Sequence, residues 1–174
     1  ANTSVASAIK VGYLCDKYNM FCLEEPTTTL IPELHKVIAE KIKTPLAGGE
    51  RIFSRWQFYN FLKDHSIRLA QPDVCTCGGI TETKKVCDLA HIFDVKCQVH
   101  VAGGPISTAA SLQVEAAIPN FCIHEHHFRS TQPGIASLCK YDLQPENGRY
   151  EVPKRPGIGN ELSDLAFETA MAKA

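Results

Sequence analysis

Four residues combine useful chemistry with a regular spacing: Glu24 in FCLEEP, Glu50 in PLAGGE, Asp73 in RLAQPD and His100 in KCQVH, each just after a short apolar stretch. They fall about 25 residues apart, roughly the length of one strand-plus-helix unit. Two carboxylates at the ends of neighbouring strands repel each other unless a cation or a shared proton neutralises them. A hard divalent ion such as Mg²⁺ suits oxygen ligands of this kind; solvated loop acids are the plainer reading of the same pair. Glu25 is the other acid of LEEP, and pattern alone leaves open which of the two points inward. An aspartate that holds an imidazole raises its basicity, so Asp73 and His100 read as a proton-transfer dyad near neutral pH. A histidine at a strand end also serves as a purely structural hydrogen-bonding group.

The elements that must position these residues alternate along the chain. Residues 3–18 carry apolar side chains at helical spacing, and NMFCLEE follows as a strand closed by Pro26. Residues 31–43 place Leu34, Val37, Ile38 and Ile42 on one helical face, with Pro32 suited to the first turn. TPLAGGE is the next strand with a glycine-rich exit. A helix at 54–64, with Phe53 and Trp56 packing its face, precedes a strand at 67–72, a helix at 80–94 and a strand at 95–100. A helix at 107–117 and the strand NFCIHEH complete the series. Parallel neighbours need a crossover, usually helical, so this alternation predicts an α/β protein with about five parallel strands. The C-terminal strand ends of such a protein gather on one face, where chemistry sits. From residue 133 onward turn formers dominate, and LAFETAMAKA is expected as a short terminal helix on a tail that wraps the surface.

A chain of 174 residues with a formal net charge of −1 and no Lys/Arg run gives no electrostatic reason to invoke nucleic acid or an acidic membrane. Small molecules are the expected partners. No apolar run approaches the roughly 18 residues that span a bilayer, and ANTSVASAIK lacks a secretory pattern, so the chain reads as cytoplasmic. The eight cysteines lie mostly inside apolar segments and are expected as reduced, packed thiols. Cys75 and Cys77 form a C-x-C with no second pair at metal-ligand spacing, a weak zinc signal better explained by shared packing.

LEEP, then GGER, then QPD followed by CGGIT, then HVAGGPI and PNFCIHE resemble, in order, the C-terminal barrel of the enolase superfamily, mandelate racemase/muconate lactonizing subgroup. The nearest look is that of its galactonate dehydratase-like sugar-acid dehydratases, a likeness that extends to the tail NGRYEVPKRPGIGNEL and so covers nearly the whole chain. The resemblance implies a partial TIM-type (β/α) barrel. It implies Glu24 and Glu50 as two of three Mg²⁺ ligands, Asp73 and His100 as the general acid/base dyad, and Glu125 as the group that hydrogen-bonds the substrate carboxylate or its enolate. The implied reaction is Mg²⁺-dependent dehydration of a sugar acid to a 2-keto-3-deoxy acid, through removal of the proton α to the carboxylate. A racemase or epimerase of the same superfamily, and a non-catalytic barrel, are the alternatives. Proteins similar to it are homo-oligomers, which is the expectation for the intact enzyme.

Departures from the pattern set further expectations. The likeness begins after the family's third strand, with Ala1 and Asn2 looking like the residues that follow the third metal-binding aspartate. The chain is therefore expected to hold strands four to eight and the C-terminal tail, without the capping domain or the first strands, and to bind Mg²⁺ and turn over poorly on its own. His124 and His126 alternate with Glu125 and so face the other way, as packing or rim residues. Arg51, beside Glu50, is read either as a substrate contact or as an exposed loop cation.

Overall fold

The structure, a computed structural model, describes residues 3–172. In chain order it contains α1 (Val5–Lys17), β1 (Leu23–Glu24), α2 (Pro32–Ala39), β2 (Leu46–Gly48), α3 (Ser54–Leu62), β3 (Leu69–Ala70), α4 (Gly79–Ile92), β4 (Lys96–Cys97) and α5 (Pro105–Glu115). A 3₁₀ turn at Phe128–Thr131, α6 (Pro133–Ala136) and α7 (Asp164–Met171) follow. The strands form one parallel sheet in the order β1-β2-β3-β4. Because each right-handed crossover leads to the next strand along, all the connecting helices cover the same face of the sheet. This is the α/β architecture of a partial barrel. Ala1 and Asn2, expected to follow a metal-binding aspartate, lie outside the described residues, as do the last two residues of the expected terminal helix.

The fifth expected strand is only partly realised. Residues 120–122 join β4 through Cys97 N–H to Asn120 O and Cys122 N–H to Cys97 O, both 2.8 Å, which leaves one isolated parallel bridge between Cys97 and Phe121. Asn120 fixes the start of this segment. Its buried amide donates to Val95 O at 2.8 Å and Cys87 O at 3.1 Å, tying the loop before the bridge to β4 and α4. The tail docks on the same side, with Gln113 of α5 donating to Pro153 O at 2.8 Å.

The helices form where local chemistry favours them. Ser4 caps α1 by accepting from the Ser7 amide at 3.2 Å, and Pro32 and Pro105 begin α2 and α5, where a missing N–H costs nothing. The core lies between sheet and helices and is built on Ile38, Phe58, Phe61, Leu62, Ile67, Val86, Val95 and Val99. Arg55 of α3 grips Glu82 of α4 with Nη2–Oε2 at 2.8 Å and Nε–Oε1 at 3.0 Å, fixing how two adjacent helices stack.

Two expectations about helix faces are corrected. Trp56 is 76% exposed and Phe53 51%; α3 instead turns Phe58, Phe61 and Leu62 to the core, and the Trp56 indole stands in solvent beside the Arg55 guanidinium, 5.9 Å from the ring centroid. Helix α2 ends at Ala39, earlier than expected, and buries His35 and Ile38 while Val37 is exposed. A histidine thus took a place that apolar periodicity gave to a valine.

His35 is fully buried, edge-on to Phe61 with centroids 5.2 Å apart, and neither ring nitrogen has a hydrogen-bond partner. Burial disfavours the imidazolium and pushes its pKa down from 6.5 to about 4. Because the folded pKa lies below the unfolded one, the unfolded chain takes up the proton first, and stability falls as pH drops through the window between them. Urea denaturation at pH 7 and pH 5 should show the wild type losing about 2 kcal/mol more than His35→Phe over that interval. Equal pH slopes for the two proteins would contradict this.

Candidate active site

All four chemistry-bearing residues stand at the C-terminal ends of the strands, on one rim. Glu24 is the last residue of β1, and the chain then turns sharply, with Glu25 in the left-handed region at φ 37° before Pro26. Its side chain is exposed, and its Oε2 accepts from Gln71 Nε2 at 3.0 Å. Glu25 points the other way and is 3% exposed, with Oε1 accepting from the Gly49 amide at 3.3 Å and Oε2 lying 3.6 Å from Arg51 Nε. Burial raises the Glu25 carboxyl above its ordinary range, the Gly49 amide and Arg51 acting against that rise. The sequence left open which of these acids faces the core: Glu25 is the buried one.

Glu50 leaves β2 through Gly48 and Gly49. A Cβ on Gly49 would lie 2.2 Å from the Gln71 carbonyl oxygen, so only glycine lets the exits of β2 and β3 pass this closely. The Glu50 side chain is 30% exposed; Oε1 is 3.2 Å from Arg51 Nε and Oε2 is 3.0 Å from His100 Nε2. Arg51, half-exposed, therefore bridges Glu25 and Glu50 rather than standing free.

Asp73 and His100 form an isolated parallel bridge beyond β3 and β4, with His100 N–H bonded to Pro72 O at 3.1 Å. That pairing sets their side chains together: Asp73 Oδ2 lies 2.6 Å from His100 Nδ1, and Oδ1 accepts from the Cys75 amide at 2.6 Å. Burial alone would raise the aspartate's pKa, but the bonds from His100 and Cys75 outweigh it and hold the carboxyl below its usual range. Burial likewise works against the His100 imidazolium, and the bond to Asp73 with the carboxylates of Glu125 and Glu50 overcomes it, so the pKa is raised. With a carboxylate against each nitrogen, the charged ring, which can donate to both, is favoured over the neutral one. Glu125 accepts from the Val101 amide at 2.8 Å through Oε2, which places it beside His100 from the neighbouring segment.

The structure thus brings Glu50, Asp73 and His100 into direct contact, sets Glu125 next to them, and leaves Glu24 on the flank, bonded to Gln71. No group of three His, Cys, Asp or Glu side chains among the described residues is arranged to hold a metal ion. The donor chemistry of Glu24 and Glu50 fits a hard divalent cation, as two of the oxygen ligands such an ion needs. Gln71 and the Cys75 amide belong to the site and went unnoticed in the sequence, and Glu25, noted there only as the other acid of LEEP, belongs to it as well. The one available signal was proximity, since each lies within two residues of a predicted site residue. All eight cysteines are free; Cys77 is buried against Thr83 and Cys75 is exposed.

A parallel sheet covered by its own crossover helices, with acids and a carboxylate-held histidine on the C-terminal rim, defines a β/α-barrel protein of the kind that places its reactive groups at strand exits. The family model described as enolase C-terminal domain-like matches residues 1–166. The chain belongs to this family. It is 32% identical over 168 residues to D-xylonate dehydratase of Haloferax volcanii, a match covering 96% of this chain and 40% of that protein. It is 31% identical to arabinonate dehydratase of Saccharolobus solfataricus, over 96% of this chain and 44% of that one. Among solved structures, an enolase-superfamily member from Salmonella Typhimurium superposes with a TM-score of 0.93 at 49% identity, covering 95% of this chain and 42% of that chain. A mandelate racemase/muconate lactonizing enzyme from Jannaschia sp. gives 0.88 at 28% identity, over 95% and 42%. The chain spans less than half the length of each of these relatives. No helix among the described residues is long and apolar enough to cross a membrane.

The close approach at Gly49 gives a direct test of how the rim is built. Gly49→Ala should destabilise the fold by about 2–3 kcal/mol, because the atom it meets is backbone and has no rotamer to yield. A thermal or urea midpoint within error of wild type would show that the two exits separate freely.

Proposed function

We propose that this chain carries the acid–base centre, and part of the metal site, of an Mg²⁺-dependent hydro-lyase that dehydrates an aldonate to a 2-keto-3-deoxy acid. One observation carries the reading: His100 is fixed through Nδ1 by Asp73 at 2.6 Å while its Nε2 lies 3.0 Å from the partly exposed Glu50. In this reading the chain supplies strands four to eight of the barrel, β1 to β4 and the 120–126 segment, together with its tail. The dehydratase names of its relatives, which act on xylonate and arabinonate, support the substrate class. The free thiols suit a reducing, cytoplasmic setting.

Glu24 and Glu50 would hold the ion, the rest of its shell coming from water, substrate oxygens and other protein groups. When bound, Mg²⁺ supplies the positive charge that a carboxylate needs to accept the electron pair of its α-carbon. The chain's own residues do the rest. For Nε2 to act as a base it must first give up its own proton, which passes to water as Glu50 turns from His100 toward the ion. Asp73 keeps Nδ1 protonated and the ring aligned, so that Nε2 takes the proton from C2 and the C–H electrons enter the enediolate. Collapse of the enediolate breaks the C3–O bond, and His100 returns its proton to the leaving hydroxide as water. The resulting enol tautomerises to the 2-keto acid, with net loss of one water. Glu125, held on the Val101 amide, would hydrogen-bond the substrate carboxylate or its enolate by donating a carboxyl proton to it, since two carboxylates can only accept.

The test is made on the complete barrel with Mg²⁺ and a panel of aldonates, following 2-keto acid formation and exchange of the C2 proton in D₂O. His100→Asn should lower both rates by about a thousandfold or more while Mg²⁺ binding survives, and Glu50→Gln should lose binding and turnover together. Wild-type turnover in either variant sinks the assignment. C2 exchange with inversion and without dehydration would make the protein a racemase or epimerase instead.

A further inference from the structure

Outside the catalytic rim, a second carboxylate–imidazole pair is buried with no part in the reaction. Glu115, the last residue of α5, has a side chain 4% exposed; His124, at 10%, meets it with Nδ1 2.6 Å from Oε2. The remaining polar atoms of the pair, Glu115 Oε1 and His124 Nε2, have no partner and are closed to solvent. Both residues border a cavity of about 590 Å³ beside Phe121 and Tyr150, but these two atoms do not open into it, and the contacts the pair does make are to the chain itself. Burial raises the Glu115 carboxyl, and the bond to His124 with the nearby Val99 amide opposes that rise.

The segment that carries His124 is held to the sheet only at its start. Its last backbone bond to β4 is Cys122 N–H to Cys97 O; among the described residues, 123–126 make no backbone–backbone hydrogen bond. Side chains take over from there. His124 is pinned outward on α5 and packs edge-on against Tyr150 of the tail, with centroids 4.7 Å apart, and Tyr150 OH also meets His126 Nδ1. Glu125, one residue on and facing the other way, turns inward to the Val101 amide at 2.8 Å. In extended chain, neighbouring side chains point to opposite faces, so fixing one fixes the direction of the next.

We infer that Glu115 and His124 are positioning residues: their bond replaces the missing ladder contacts and sets Glu125 on the Val101 amide beside His100. The inference rests on the proposed acid–base site for its significance, but its test reads the segment directly. The readout is hydrogen exchange of individual backbone amides by NMR. In the double variant Glu115→Leu/His124→Phe, which keeps a ring against Tyr150 and leaves neither partner buried alone, the Val101 amide should exchange about tenfold faster. The Cys122 and Gln98 amides, bonded within the sheet, should keep their wild-type rates. Glu125→Ala alone should reach the same Val101 rate, and combining all three changes should add nothing. Glu115→Gln, of nearly the same shape and able to share a neutral hydrogen bond with His124, should restore most of the protection. An unchanged Val101 rate in the double variant overturns the inference. So does a rise shared equally by Val101, Cys122 and Gln98, which would make the pair a general stabiliser. Neither result bears on whether His100 abstracts a proton, and loss of aldonate turnover in His100→Asn leaves this inference untouched.

Discussion

A strand that is followed by a parallel neighbour requires the chain to travel back across the sheet, and in this protein that return is always a helix. The constraint has two consequences on which everything else rests. Every strand ends on the same rim, so Glu24, Glu50 and the Asp73–His100 bridge, far apart in sequence, become neighbours. Every helix falls on the same face, so one side of the sheet is sealed by α1 to α5 and the polar rim is built without disturbing the core. Stability and chemistry are thereby assigned to different ends and faces of the same strands.

Gathering acids on a rim creates an electrostatic problem, and the site shows how it is contained. Five carboxylates lie along this rim: Glu50, Asp73 and Glu125 around the His100 imidazole, and Glu24 and Glu25 on its flank. Each has a donor close by. Gln71 serves Glu24, the Gly49 amide serves Glu25, Arg51 lies between Glu25 and Glu50, the Cys75 amide serves Asp73 and the Val101 amide serves Glu125. Most of these are backbone amides, whose direction is set by the fold and which carry no side-chain entropy cost. His100, bonded on both nitrogens, is the positive counterpart of the group. Removing one carboxylate from this set therefore shifts its neighbours, since Glu25 and Glu50 share Arg51 while Glu50 and Asp73 share His100.

Much of this was legible in the sequence, for a physical reason. Strand exits are short, apolar-then-polar transitions marked by Pro or Gly, and Glu24, Glu50 and Asp73 each sit on such a mark. The strand–helix alternation was equally visible because its helices are long enough to show a period. The errors fall where burial is decided by distant partners. Trp56 and Val37 satisfied a helical period yet face solvent, and His35 broke the pattern and is buried, because the neighbouring helix offered Phe61 rather than water. The fifth strand has the composition of a strand, but its ladder stops at Cys122, where side-chain bonds replace backbone ones. Periodicity in one segment carries no record of where its neighbour ends. Gln71, and the inward turn of Glu25, are invisible for the same reason: each is decided by a residue on another strand.

Part of the backbone strain in the molecule falls on the rim itself. Glu25 sits at φ 37°, and the β2 exit passes so close to Gln71 that a methyl group would collide with it. Both features lie on the rim, although left-handed residues also occur at helix ends such as Asn19, His65 and Asp94, and Gly12 of α1 passes nearly as close to Ile42. Backbone held in sparsely populated conformations costs on the order of 1–3 kcal/mol per residue and persists only where the surroundings determine it. Here the determining contacts are the rim's own hydrogen bonds: the Gly49 amide on Glu25, and the Gln71 side chain on Glu24. The rim carboxylates thus also hold the backbone that aims them, and a change in either of these two alters both the charge on the rim and the geometry of the strand exit beneath it.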